Sequence, residues 1–135
     1  MISLWPADST DIGYIETFDL VRDVVPLAEA VGEGRVRIAM DGTEPVGFFW
    51  FSVLWGTLPF VEFVEILAPK RGQALGAAAV RAWEREMKDA GFDLVLASTG
   101  ADSDAQHFWR KMGYIDCGSL TVRDKAAEIF FQRPV

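Results

Sequence analysis

The stretch Ile66-Leu67-Ala68-Pro69-Lys70-Arg71-Gly72-Gln73-Ala74-Leu75-Gly76-Ala77-Ala78 decides how this chain is read. An apolar, strand-like run closes there, a short loop of small residues follows, and a helical pattern starts at once. The first turn of a helix carries free backbone N–H groups and the positive end of the macrodipole. Small side chains let an anion approach those amides, and Lys70 and Arg71 add positive charge at the mouth. Two readings follow: a phosphate cradle, or a joint at which glycine and alanine merely let a helix pack tightly on a sheet. The stretch is neither a Walker A loop, since no Gly-Lys-Ser/Thr follows, nor a GxGxxG fingerprint.

Downstream, Leu75, Ala79, Trp83 and Met87 recur every four residues and predict a helix over 73–90 that Gly91 closes. Glu84 and Lys88 are spaced for an i,i+4 pair in the favourable order. Residues 94–98 are apolar up to Ser98, as in a strand buried beside a crossover helix. Asp102 or Ser103 caps the next helix, with Gln106 in capping-box position and Ala105, Phe108, Trp109 and Met112 as the apolar face. Two strands, 115–122 and 127–132, flank a charged turn at Arg123-Asp124-Lys125.

Upstream, residues 2–5 form a strand that Pro6 ends. Asp8 or Ser9 caps a helix with Ile12, Ile15, Leu20 and Val24 along one face, and Pro26 opens a second that Gly32 and Gly34 stop. Residues 35–40, 46–54 and 60–67 make an antiparallel meander, turned at Asp41-Gly42 and again at Gly56-Thr57-Leu58-Pro59. The order is β-α-α-β-β-β-α-β-α-β-β. This predicts an α/β (α+β) chain, a mixed sheet with helices on its faces.

Composition narrows the function classes. The chain has 135 residues, half of them hydrophobic, which suits a single domain over 1–135 with a real core. Its net charge is −7 and no basic run exceeds two residues, which argues against nucleic acid and mildly favours a cationic partner. The apolar run 46–54 is too short to span a bilayer, and the N-terminus lacks the basic start and apolar run of a signal peptide. No membrane partner and a cytoplasmic location are therefore expected. One cysteine, Cys117, and one histidine, His107, leave no internal disulfide and no zinc site. Cys117 is expected as a buried filler and His107 on a solvated helix face.

The junction resembles the signature of the GNAT (Gcn5-related N-acetyltransferase) superfamily, Arg/Gln-x-x-Gly-x-Gly/Ala between a strand and a helix. Here it is Arg71-Gly72-Gln73-Ala74-Leu75-Gly76, with Ala74 where glycine is usual and the Pro69-to-Arg71 spacing one residue short. The run Asp102 to Tyr114 is similar to a second family pattern, Asn-x-x-Ala-x-x-x-Tyr-x-Lys-x-Gly-Phe. It agrees at Ala105, Lys111, Gly113 and the closing aromatic, and departs at Trp109, where the family often has tyrosine.

The resemblance covers nearly the whole chain and implies a mostly antiparallel, twisted sheet of about seven strands with about four helices. It implies an acetyl-CoA-dependent N-acyltransferase in which an amine attacks the thioester directly. A non-catalytic acyl-CoA-binding sensor on the same fold is the alternative. The implied coenzyme site is the backbone of Ile66, Leu67 and Ala68 for pantetheine, and Gln73, Ala74, Leu75, Gly76 and Ala77 for the pyrophosphate. Lys70, Arg71 and Gly72 lie at its mouth, and Asp102 and Trp109 come from the second motif. The family often places a glutamate on the strand before the signature. Glu65 is favoured as base there, with Glu62 second, because both interrupt an otherwise apolar strand. A thiolate acid is not assigned, since indole cannot serve and Tyr114 reads as core. The acceptor would be a small-molecule amine or an amine of a peptide or protein, and dimerisation is left open. Trp50, Phe51, Trp55, Phe60 and Phe63 are expected mainly in the core, with Trp55 and Phe60 as alternative lining of an acceptor pocket or a dimer contact.

Overall fold

Residues 1–18 and 26–135 are described by the computed structural model, so Leu20 and Val24 of the first expected helix lie outside the described residues. The elements are β1 (Ile2–Pro6), α1 (Ile12–Glu16), α2 (Leu27–Gly32), β2 (Val36–Asp41), β3 (Glu44–Leu54) and β4 (Leu58–Ile66). There follow α3 (Leu75–Asp89), β5 (Leu94–Gly100), α4 (Ala105–Lys111), β6 (Ile115–Leu120) and β7 (Glu128–Pro134). The strands form one seven-stranded sheet in the order β1-β2-β3-β4-β5-β7-β6. Pairing is antiparallel between β1 and β2, β2 and β3, β5 and β7, and β6 and β7. β4 and β5 pair in parallel through Phe60 and Leu96, as a crossover helix between two strands requires. The mixed sheet and element order read from the sequence are those observed.

The chain divides into two compact units, Met1–Ser52 with Glu62–Trp83, and Val53–Val61 with Glu84–Val135. In the first, successive residues of β3 serve opposite faces of the sheet, the alternation a pleated strand enforces. Phe48 and Trp50 join Ile15, Ala30, Val31, Val36, Ile38 and Met40 in a cluster under α1 and α2. Phe49 and Phe51 instead meet Trp83 of α3, with ring centroids 5.1 and 5.9 Å apart. Both faces of β3 are thus covered, which explains its unbroken apolar run.

The second unit holds a buried polar group. Glu84, spaced for a pair with Lys88, is only 4 % exposed. Its carboxylate accepts a 2.6 Å hydrogen bond from the Tyr114 hydroxyl and a 3.2 Å one from Arg133 Nη1. A carboxylate is kept inside only when its oxygens are satisfied, and two distant elements supply the donors.

Other expectations shift in detail. Helix α3 starts two residues later than predicted, because Ala74 is left-handed (φ 60°) and breaks the helical run. Leu58 and the buried Pro59 belong to β4, since the reversal is made earlier, at Trp55 (φ 56°) and Gly56 (φ 73°). Trp55 is 86 % exposed at that hairpin tip, outside any core. Asp8 caps the chain's first turn in a capping box with Asp11. Before α4 the Ser103–Gln106 box is not reciprocal: the Gln106 amide nitrogen donates to the carbonyls of Ala101 and Ser103. Ala105 is exposed rather than packed, and so is His107, as expected. Cys117 is exposed, not a core filler, because it sits at a bulge in the edge strand β6, where the register slips between Asp116 and Gly118.

Candidate active site

The end of β4 is fixed from two sides. The Leu67 N–H donates to the Val46 carbonyl at 2.8 Å. Beside it, Gly47 lies against the β4 backbone so closely that a Cβ built there would stand 1.9 Å from the Glu65 carbonyl oxygen. An isolated glycine inside an apolar strand pattern is the sequence signal for such an approach, and the motif-based reading passed over it. The chain then makes a single 3-10 turn, Ala68–Lys70, with Pro69 in its first turn. Lys70 is tied to Glu44 of β3, with Nζ–Oε1 at 3.3 Å.

Past that turn the loop is exposed from Arg71 to Ala74, with Gly72 at φ 81° and Ala74 at φ 60°. The first helical hydrogen bond of α3 runs from the Ala78 N–H to the Ala74 carbonyl at 3.1 Å. The amides of Leu75, Gly76 and Ala77 therefore precede the intrahelical ladder. Ala74 occupies the capping position and has no side-chain oxygen with which to satisfy them. Serine or aspartate is the usual choice there, so the sequence leaves this helix start open to an external anion.

Alanine at φ 60° also carries strain that glycine does not. Ala74→Gly is expected to be neutral or stabilising by up to about 1 kcal/mol. A melting temperature lowered by several degrees would show that the methyl group packs instead of straining.

Of the two candidate bases, Glu62 has an oxygen 2.8 Å from the hydroxyl of Ser52, which donates to it from β3. Ser52 was not singled out in the sequence, and only the β3–β4 register reveals the pairing. Glu65 is 19 % exposed in its side chain, with Oε2 3.9 Å from Nη2 of Arg71. Burial raises the Glu65 carboxyl above the ordinary glutamate range, and the Arg71 charge pulls it partly back. Arg71 also donates from Nε to the Ile66 carbonyl at 3.1 Å. The first unit thus brings together Glu62, Glu65, Ile66, Leu67, Ala68 and the whole loop from Lys70 to Ala77.

The residues of the second motif lie in the second unit. Asp102 is exposed in the turn before α4, and its Oδ1 lies beside Gly100. Trp109 is 4 % exposed, its ring edge-on to Phe108 and Tyr114.

The chain belongs to the acetyltransferase (GNAT) family, whose family model matches residues 2–114. Among solved structures, a GNAT family acetyltransferase from Elizabethkingia anophelis with acetyl-CoA bound is 13 % identical, with a TM-score of 0.78 over 99 % of this chain and 98 % of that one. Arabidopsis thaliana Naa50, in complex with the bisubstrate analogue CoA-Ac-MVNAL, is 15 % identical, with a TM-score of 0.75 over 98 % and 97 %. The ribosomal-protein-S18-alanine N-acetyltransferase of Escherichia coli is 13 % identical, with a TM-score of 0.72 over 99 % and 94 %. At such identities the likeness is one of fold. No curated protein matches the sequence significantly.

Proposed function

We propose that the chain is an acetyl-CoA-dependent N-acyltransferase acting on a primary amine, carried by a small molecule or by a peptide or protein. The observation that carries this reading is the uncapped start of α3: a GNAT-family chain whose signature loop leaves consecutive amides without a side-chain cap. Neighbours of the same fold, solved with acetyl-CoA or a CoA-peptide analogue, support the coenzyme and the amine class.

On this reading the amides of Gln73, Ala74, Leu75, Gly76 and Ala77, with Lys70 and Arg71, hold the pyrophosphate. The backbone of Ile66, Leu67 and Ala68 holds pantetheine. Acetyl-CoA supplies a thioester that an amine can attack directly, with no covalent enzyme intermediate. What remains for the protein is positioning and proton removal. Glu65 suits the second task, since its environment favours proton acceptance nearer neutrality than a surface glutamate would allow.

The test is acetyl-CoA calorimetry on wild type and Gly76→Trp. A Cβ at Gly76 would meet only Ile66 Cγ1, at an ordinary 3.9 Å, so the position tolerates a side chain while the indole's bulk obstructs the loop. Micromolar binding by wild type, weakened about 100-fold or more by the substitution, is expected, a loss of about 2.7 kcal/mol. Absence of binding by wild type overturns the reading.

One observation favours a second reading, an acyl-CoA-binding module without turnover. The phenol that often protonates the leaving thiolate in this family is replaced by the buried indole of Trp109, and the Tyr114 hydroxyl is committed to Glu84. Binding without acetyl transfer to any of a panel of amines would establish it.

A further inference from the structure

The contact between Arg71 and Glu65 joins the coenzyme loop to the candidate base, and neither motif reading predicted it. Arg71 sits at the mouth of the anion cradle, yet here its guanidinium is engaged at the end of β4. Nε donates to the carbonyl of Ile66, the last residue of β4, at 3.1 Å, and Nη2 stands 3.9 Å from Glu65 Oε2. The side chain is 62 % exposed, so the ion pair is weak and easily exchanged. A pyrophosphate on the α3 amides would offer the same guanidinium a charge-assisted, forked partner, which is the stronger contact.

We propose that Arg71 is a latch released by coenzyme: it holds the end of β4 and the Glu65 carboxylate until a pyrophosphate draws it away, freeing Ile66 and Glu65 together. The inference rests on the acyl-CoA reading above. It makes Arg71 a positioning residue and gives the reaction an order, with coenzyme first and the amine's proton acceptor exposed only afterwards. The Ile66 carbonyl belongs to the backbone assigned to pantetheine, so the same movement clears the coenzyme's own binding edge.

Among the described residues, the other charges near Glu65 are already engaged or point elsewhere. Glu62 on the same strand is bonded to Ser52, and Glu44 on β3 is paired with Lys70. Helix α3 carries no charged residue before Arg81, while Glu16 of α1 and Glu29 of α2 are exposed. With Arg71 removed, burial alone acts on Glu65, which binds its proton more tightly. Coenzyme binding must then take up protons in the pH window between the free and the bound Glu65 values, and affinity must weaken as pH rises through that window.

The experiment is calorimetry of acetyl-CoA at saturation, in two buffers of different protonation enthalpy, on wild type, E65Q and R71Q. The coenzyme's 3′-phosphate also titrates, so the quantity read is the difference from E65Q. Wild type is expected to take up a substantial fraction of one proton more than E65Q. R71Q should lose that excess although its Glu65 is intact, because nothing then remains to be released. Equal uptake by wild type and R71Q would mean that the anion acts on Glu65 directly, and the latch falls. Binding with no excess uptake in wild type also overturns the latch while the acyl-CoA reading stands, whereas no binding at all overturns both. If R71Q binds too weakly to saturate, the carboxyl 13C shift of labelled Glu65, titrated with and without acetyl-CoA in wild type, decides. The same titration on coenzyme-free R71Q separates the causes: a midpoint already raised to the value that wild type reaches with acetyl-CoA supports the latch, and one left at the coenzyme-free wild-type value removes it.

Discussion

Gly47→Ala is expected to destabilise the protein by about 3 kcal/mol, at the upper end for an overpacked core, and to lower the melting temperature by about 10 °C. The added methyl carbon would stand 1.9 Å from the Glu65 carbonyl oxygen and 3.0 Å from both the Glu65 carbonyl carbon and Ile66 Cα. These are backbone atoms, which cannot rotate aside as the end of a long side chain can. The strands must part where the Leu67 N–H meets the Val46 carbonyl, so the strain falls on the end of β4 that leads into the α3 loop. Gly76→Ala is the matched control. Its Cβ meets a flexible side-chain carbon at contact distance, and a change within about 0.5 kcal/mol is expected. Thermal unfolding of the two variants side by side checks the argument. Equal melting temperatures would mean that β3 and β4 are less tightly joined at Gly47 than the geometry requires.

Gly47 also shows where sequence reading reached and where it stopped. The strand holding it was legible, because a run buried on both faces, here from Val46 to Phe51, needs no polar alternation. What the glycine was for was not legible, since that depends on which residue of β4 lies opposite. The long helix was read from its four-residue repeat, but its start was placed early. Gln73 and Ala74 are plausible helix formers by composition, and only the left-handed backbone at Ala74 excludes them. The same detail turns a departure from the family pattern into a physical statement: alanine here occupies a conformation that suits glycine. The burial of Glu84 was not legible, because spacing along a helix does not say which face a distant tyrosine and arginine will meet. Trp55 was misplaced for the opposite reason: hydrophobicity suggested core, while the turn put it at a hairpin tip. The candidate site was legible as far as it is local, from Glu62 through Ala77. The links from Ser52 to Glu62 and from Arg71 to Glu65 depend on strand register and loop path, which composition does not encode.

Glu65→Gln is expected to lower acetyl transfer by about 10²- to 10⁴-fold, the usual contribution of a general base, with acetyl-CoA affinity at neutral pH not weakened, since the variant has no ion pair with Arg71 to give up. Glutamine keeps the shape and can still meet Arg71 through its carbonyl oxygen, so lost chemistry rather than lost packing is measured. The pH dependence supplies the sign. A base works when ionised, so wild-type turnover rises with pH through the Glu65 value and then levels. Burial has moved that value upward, so the acid limb lies nearer neutrality than for a surface glutamate. The variant should lose this limb. Stability should move the other way. A carboxyl whose folded pKa exceeds its unfolded one makes folding less favourable once pH passes the folded value, and this penalty fades as pH falls below the unfolded value. The glutamine variant should therefore melt no lower than wild type at pH 7, and the two should converge in acid. A residue kept for structure would show the reverse, a loss of stability on removal. Glu62→Gln is the discriminating partner, because its bond from Ser52 gives it a structural use. Its variant should shift melting more than turnover. If instead Glu62→Gln removes the acid limb and Glu65→Gln leaves it, the base is Glu62, and the half-buried carboxylate beside Arg71 serves only to hold the loop.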